Sequence, residues 1–308
     1  MDLVDRLLAG DARALARLIS LAEQDDASVA KALSAVQPRT GHSYVIGITG
    51  PPGSGKSSLV DAMISAFRRD DKTVGVLAVD PNSPFTGGAV LGDRIRMQRH
   101  ALDEGVYVRS MGARGHLGGL ASATRQATRI LDAYGRDYVL LETVGVGQAE
   151  LEVSGISDAV VVVLNPSQGD EVQALKAGIL EIADIFVINK ADLAGADRAV
   201  RQLRQIYPDD MQEGDWLPPI LKTVAVKDEG IERLLQEIEK HRAHVEKTGR
   251  LEEKRRARLR DEVLDLVSER ARRRAAKKLQ DGTDVGSRIS TAPLSSLDPY
   301  ELASELLD

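Results

Sequence analysis

Short runs rich in Val, Ile and Leu recur through the middle of the chain, at Tyr44–Thr49, 74–79, 106–110, 138–142, 159–164 and 185–188. Between them, apolar residues return every three or four positions over 59–67, 91–104, 118–134, 170–182, 196–206 and 230–245. The first pattern predicts strands buried on both faces, the second helices that cover them. Their alternation predicts an α/β fold with a mostly parallel sheet. A further strand-like segment ends in Thr223-Val224-Ala225. Ahead of this zone, residues 1–41 read as short amphipathic helices, with Leu3, Leu7, Leu8, Leu15, Leu18 and Ile19 at helical spacing and Pro38 closing the stretch. Behind it, residues 247–308 are helical and charged, with a break expected from Gly282 to Pro293. Three regions follow: an N-terminal helical segment 1–41, an α/β domain 42–246 and a helical arm 247–308.

At the end of the first strand stands Gly50-Pro51-Pro52-Gly53-Ser54-Gly55-Lys56-Ser57, followed by Ser58 and the helical pattern. This is the full G-x-x-x-x-G-K-[ST] phosphate-binding loop in its strand–loop–helix setting. Its glycines let consecutive N–H groups turn toward a polyphosphate, and the helix start adds its positive end. Lys56 supplies a charge for the β- and γ-phosphates, and the Ser57 hydroxyl suits Mg²⁺. The domain is thus expected to be a P-loop NTPase.

The base is read further on. Residues 185–188 run into Asn189-Lys190-Ala191-Asp192. The Asp192 carboxylate can accept from the ring N–H and the exocyclic amine of guanine, whereas adenine leaves it unpaired. The stem of Lys190 can lie along the base. At Thr223-Val224-Ala225-Val226 a main-chain N–H can reach the guanine oxygen, although Val224 stands where such loops usually carry serine. The expected ligands are GTP and GDP. Three acids between the two motifs are candidates for magnesium and for the reaction: Asp80 and Glu142 at strand ends, and Asp93 on or before a helix. A hard cation with an oxygen octahedron fits Ser57, phosphate oxygens, water and such carboxylates.

Composition narrows the picture. The 308 residues are 43% hydrophobic, enough for one sizeable core with extensions. With no cysteine there are neither disulfides nor thiolate metal sites. A net charge of −6, three Phe and one Trp argue against a nucleic-acid binder, even beside the basic stretch Arg270–Lys278. That stretch shares its helix with Leu259, Val263, Leu266, Val267, Ala271 and Ala275 at helical spacing, so its charges are read as a solvated face. No run approaches a membrane span, and the acidic N-terminus lacks a signal layout, so a cytoplasmic protein is expected. His241 and His244, spaced i, i+3, are read as part of a free helix face, and His116 as a loop residue.

Several longer strings carry a family resemblance. Asp80-Pro81-Asn82-Ser83-Pro84, Leu91-Gly92-Asp93-Arg94-Ile95-Arg96-Met97, Arg114-Gly115-His116-Leu117-Gly118-Gly119-Leu120, Glu142-Thr143-Val144-Gly145-Val146-Gly147-Gln148 and Asn165-Pro166-Ser167-Gln168-Gly169-Asp170 resemble the MeaB/ArgK group of GTPases over roughly residues 1–245. The resemblance implies a chaperone that gates cofactor loading of a cobalamin-dependent acyl-CoA mutase, typically methylmalonyl-CoA mutase. It also implies that Asp80 and Asp93 lie in a first switch, Glu142 to Gln148 in a second, and Asn165 to Lys176, with Asp170, in a third that faces the partner. A homodimer joined by the C-terminal arm is expected, since the apolar stripe from Leu251 to Leu279 must be covered. In small GTPases a glutamine directly after the second-switch glycine positions the attacking water. Here Val146 follows Gly145 and Gln148 stands further on, so slow hydrolysis that a partner accelerates is expected. Two other readings stay open: a kinase or transport-energising ATPase, which Asn189-Lys190-Ala191-Asp192 opposes, and a metal-insertion GTPase, which wants a Cys- or His-rich cluster.

Overall fold

The hydrophobic runs become strands because each finds a parallel neighbour, and all but those at the sheet's two edges find one on either side. A computed structural model of the chain describes residues 2–24, 26–80, 98–112, 117–143, 149–166, 181–205, 214–280 and 284–307. Seven strands form one parallel sheet: β1 (Tyr44–Thr49), β2 (Val74–Asp80), β3 (Val106–Gly112), β4 (Tyr138–Thr143), β5 (Ala159–Leu164), β6 (Ile185–Ile188) and β7 (Ile220–Lys222), in the order β3-β2-β4-β1-β5-β6-β7. β1 lies at the centre, with Ile48 beside Glu142 of β4 and Thr49 beside Val162 of β5. Because every strand runs the same way, the strand ends that carry the motifs open on one edge of the sheet.

Alternate residues of each strand face opposite layers. On one face Tyr44, Ile46, Ile48, Val76 and Leu140 pack with Leu59, Met63 and Phe67 of α4 (Lys56–Arg69), following α1 (Leu3–Leu8), α2 (Ala12–Glu23) and α3 (Ala27–Val36) in the chain. On the other face Val45, Leu77, Val139 and Leu141 meet Leu7, Leu15 and Leu18 of the N-terminal helices and Ile130 and Leu131 of α5 (Leu117–Ala133). The helices α6 (Ala149–Ile156) and α7 (Ala196–Arg204) and then α8 (Ile231–Lys247) complete the cover, α8 through Ile231, Leu234 and Ile238. The chain divides into two compact units, Met1–Leu251 and Glu252–Asp308. Helix α9 (Arg250–Gln280) begins at the end of the first and continues through the second, where α10 (Asp284–Thr291) and α11 (Pro299–Leu307) follow.

Two expectations about local structure need correction. Of the helix expected over 91–104, the described part contains only a single 3-10 turn, Gln98–His100. The chain turns there because Asp103 accepts from the Gly105 amide at 2.8 Å and is gripped by Arg68 of α4 at the same distance. The break expected from Gly282 to Pro293 is interrupted by α10, since Val285 is buried and Gly286 sits against the Leu279 carbonyl, where a Cβ would come within 2.4 Å. Packing overrides the low helix propensity of Gly and Ser there.

Candidate functional site

The phosphate loop grows directly out of β1. Gly50 adopts φ 135°, and a Cβ there would lie 2.1 Å from the Val163 carbonyl of β5, so only glycine lets the chain turn this close to its neighbour strand. Pro52 and Gly53 form the exposed crest, while Ser54 is wholly buried and its hydroxyl has no hydrogen-bond partner among the described residues. Gly55 precedes α4 and no side chain caps that helix, the arrangement that receives an anion. Lys56 is buried, its Nζ donating to the carbonyls of Gly50 at 2.7 Å and Pro51 at 3.1 Å. The ammonium is therefore held across the mouth of the loop.

Beside it, Ser57 Oγ donates to Glu142 Oε1 at 2.5 Å, joining the start of α4 to the end of β4. Glu142 is buried. Ser58 is half-buried on the same first turn. Asp80 closes β2 on the same edge of the sheet, one residue beyond Val79, which pairs with Thr143 of β4. Beneath the loop, Thr143 Oγ1 donates to Thr49 Oγ1 at 3.1 Å, both hydroxyls buried. Neither threonine stands out in the sequence; each is simply the last residue of its strand.

Asn189 ties the second motif to the first. Its Nδ2 donates to the Ser54 carbonyl at 3.0 Å and to that of Gly55 at 3.4 Å. Its Oδ1 accepts from Thr223 Oγ1 and from the Ala225 amide, each at 3.1 Å. Gly55 must be glycine for the same reason, since a Cβ would meet Asn189 Nδ2 at 2.3 Å. Lys190 sits at φ 55° and donates from Nζ to the Gly53 carbonyl at 2.8 Å, so its stem crosses from the base side to the loop. Asp192 is partly exposed and pairs with Lys227 Nζ at 3.2 Å, a partner whose nearness only the fold reveals. Val224 is buried, Ala225 is buried and Val226 is exposed. The valine that replaces serine thus occupies an apolar position.

This arrangement of loop, carboxylates and base-reading strand end has a counterpart in known sequences. The family model described as methylmalonyl-CoA mutase-associated GTPase MeaB matches residues 15–280. The chain belongs to the MeaB family. It is 47% identical over 311 residues to a protein of Pyrococcus abyssi named only as a GTPase, covering 99% of this chain and 95% of that protein. To the GTPase ArgK of Escherichia coli it is 34% identical over 259 residues, covering 81% of this chain and 78% of that protein. A crystal structure titled LAO/AO transport system kinase shares the fold with a TM-score of 0.70 at 24% identity, covering 99% of this chain and 95% of that one.

As a MeaB-family GTPase, the chain brings together Ser54, Lys56, Ser57, Glu142, Asn189 and Lys190 through hydrogen bonds, with Asp80, Asp192 and Ala225 on the same edge. Asp93, Gln148, Asp170 and Lys176 lie outside the described residues, as does His116. The reading of His241 and His244 as a free helix face is corrected. His241 is 2% exposed, with Nδ1 2.8 Å from Tyr44 Oη and Nε2 3.3 Å from Asp184 Oδ1. Burial pushes the Tyr44 phenol far above its ordinary pKa, so it stays an O–H hydrogen-bonded to the imidazole. Trp216 donates its indole N–H to the Asp184 carbonyl at 2.7 Å and packs edge-on against the His241 ring. Tyr44 begins β1, so this cluster lies at the opposite end of the strands from the phosphate loop. Among the described residues no group of three His, Cys, Asp or Glu side chains is placed to hold a metal.

Proposed function

We propose that this MeaB-family GTPase is a chaperone that gates cofactor loading and protects a cobalamin-dependent acyl-CoA mutase, methylmalonyl-CoA mutase first. The family's description, which names association with that mutase, supports the partner. The observation that carries the chemistry is the contact of Ser57 with the buried Glu142 at the phosphate loop. A hydroxyl and carboxylates fit the oxygen ligation of Mg²⁺, so Ser57, Asp80, Asp93 and Glu142 are its ligands in this reading. Bound there, the ion would neutralise charge on the β- and γ-phosphate oxygens.

The chain's own residues do the rest. Pro52, Gly53, Ser54, Gly55, Lys56, Ser57 and Ser58 enclose the phosphates, and Lys56 places its charge where negative charge gathers as the bond between the γ-phosphorus and the bridging oxygen breaks. Water supplies the new P–O bond, leaving GDP and inorganic phosphate. Asp192 accepts from the guanine ring N–H and amine, Asn189 and Lys190 flank the base, and Val224, Ala225 and Val226 bring a main-chain N–H to the guanine oxygen. Gln148, Asp170 and Lys176 belong to the switches that meet the mutase. Hydrolysis is slow in the isolated protein because Val146 cannot hold a water. Contact with the mutase supplies the missing orientation.

Assembly is a homodimer. Leu259, Val263, Leu264 and Val267 of α9 are each at least half exposed and the helix has no buried residue, so the stripe is covered by a second copy. The region 1–41 is the helical preface to the GTPase domain 42–246, and 247–308 is the dimerisation arm. No helix among the described residues is long and apolar enough to cross a membrane, and a cytoplasmic location is proposed.

GTP turnover with and without the apo-mutase tests this function. Addition of the mutase should raise turnover at least about tenfold, and Lys176→Ala should remove chiefly that increase. A purified chain that already hydrolyses GTP at ordinary enzyme rates, indifferent to any mutase, refutes the chaperone reading.

A further inference from the structure

Helix α4 carries more than the phosphate loop. One turn beyond Ser57, the Asp61 carboxylate accepts from Arg99 Nε at 2.8 Å and His100 Nε2 at 3.0 Å on Oδ1, and from Arg99 Nη2 at 2.6 Å on Oδ2. The same Nη2 reaches the Asp61 main-chain carbonyl at 3.2 Å. This is a two-pronged guanidinium–carboxylate grip with a third donor added from the next residue. Asp61 has 18% of its side chain exposed and His100 is buried, whereas Arg99 is half exposed, so the grip is sheltered on its carboxylate side. Two turns further along the same helix face, Arg68 grips Asp103 at 2.8 Å and its guanidinium fills the space beside Gly105. The stretch from Gln98 to Gly105 is therefore strapped along α4 at two points.

The positions of the two straps differ in what they can influence. Residues 81–97, with Asp93 among them, end two positions before Arg99. The Asp61 strap fixes that point to the helix whose first turn holds Lys56 and Ser57, whereas the Arg68 strap lies beyond it, next to β3. We propose that Asp61 is a positioning residue for GTP hydrolysis: by gripping Arg99 and His100 it fixes, relative to the phosphates, the point at which the chain leaves segment 81–97. It touches no reacting atom. It acts through the placement of its neighbours, so its loss should slow the chemical step and spare nucleotide binding. The inference rests on the GTPase activity proposed for this same site.

Steady-state GTP hydrolysis of the full chain, with thermal unfolding in parallel, separates the cases. Asp61→Asn keeps the size and loses the charge, and it should lower kcat about tenfold with KM and GDP affinity changed less than about twofold. Arg99→Lys, which offers one point of contact instead of two prongs, should fall between wild type and Asp61→Asn. Asp103→Asn serves as the control: it should lower the melting temperature and leave kcat at the wild-type level. A wild-type kcat in Asp61→Asn and Arg99→Met overturns the proposal, and so does an equal loss of kcat in Asp103→Asn. Should Asp61→Asn fail to fold, the two Arg99 variants decide the matter alone. Absence of any GTP turnover in the wild-type chain would instead refute the underlying GTPase reading.

Discussion

Asn189 holds the nucleotide site together before any nucleotide arrives, and replacing it by alanine measures how strongly. The side chain is 2% exposed and makes four hydrogen bonds, two to carbonyls of the phosphate loop and two from Thr223 and Ala225. Truncation strands the buried Thr223 hydroxyl, the Ala225 amide and the Ser54 carbonyl. Each buried group left without a partner costs about 1–3 kcal/mol, and a water admitted to the space vacated recovers part of the sum. A net loss of about 3 kcal/mol follows. For a unit of this size that corresponds to a fall in melting temperature of roughly 6–12 °C. Denaturant unfolding of the nucleotide-free protein, followed by the emission of Trp216, reads the unit that contains the site. Asn189→Asp sharpens the test. It keeps an acceptor toward Thr223 and Ala225 but sets a carboxylate oxygen against the Ser54 carbonyl, so it should be no better tolerated than alanine. A loss below about 1 kcal/mol for Asn189→Ala in the absence of nucleotide would refute the claim that this residue braces the empty site.

Further expectations concern the base, the arm and acid. GDP and GTP should bind far more tightly than ADP and ATP by calorimetry, and Asp192→Asn should cost roughly 2–4 kcal/mol of guanine affinity; equal affinity for ADP and GDP would defeat the guanine assignment. Truncation after Thr248 should convert a dimer to a monomer in light scattering, and an unchanged mass would remove the arm from the interface. The Arg68 guanidinium holds the Asp103 carboxyl below its usual 3.8. A depressed carboxylate pKa adds stability at pH values above the unfolded value and loses it as pH falls through the folded one. Asp103→Asn should therefore destabilise the protein at neutral pH, and the difference from wild type should shrink in denaturation curves measured below about pH 4. A difference that stays constant down to that range would show that the ion pair contributes nothing.

The strands were legible because a parallel sheet buried on both faces demands unbroken apolar runs, and β1, β4 and β5 are made of little else. The loop residues were legible for a related reason, since Gly50 and Gly55 stand where the backbone admits no side chain. What the linear pattern hides is pairing across the fold. Nothing in the order of residues joins Asp61 to Arg99, Asp192 to Lys227 or Tyr44 to His241, because each pair is brought together by elements far apart in the chain. The two histidines of α8 look like a solvated face by spacing alone, yet one of them lies under Trp216. Helices α6 and α10 escaped periodicity because both are short and carry glycine, so packing rather than propensity decides them.

The central place of β1 also sets an order on the birth of the protein. Its two neighbours, β4 and β5, begin at Tyr138 and Ala159, so the strand emerges from the ribosome long before anything can pair with it. Gly50 rests against the carbonyl of Val163, and the loop cannot take its final shape until that residue has been made. A nascent chain halted before β5 should therefore hold the whole phosphate-loop sequence and still fail to retain guanine nucleotide, while the unpaired Val, Ile and Leu of β1 remain a target for chaperones.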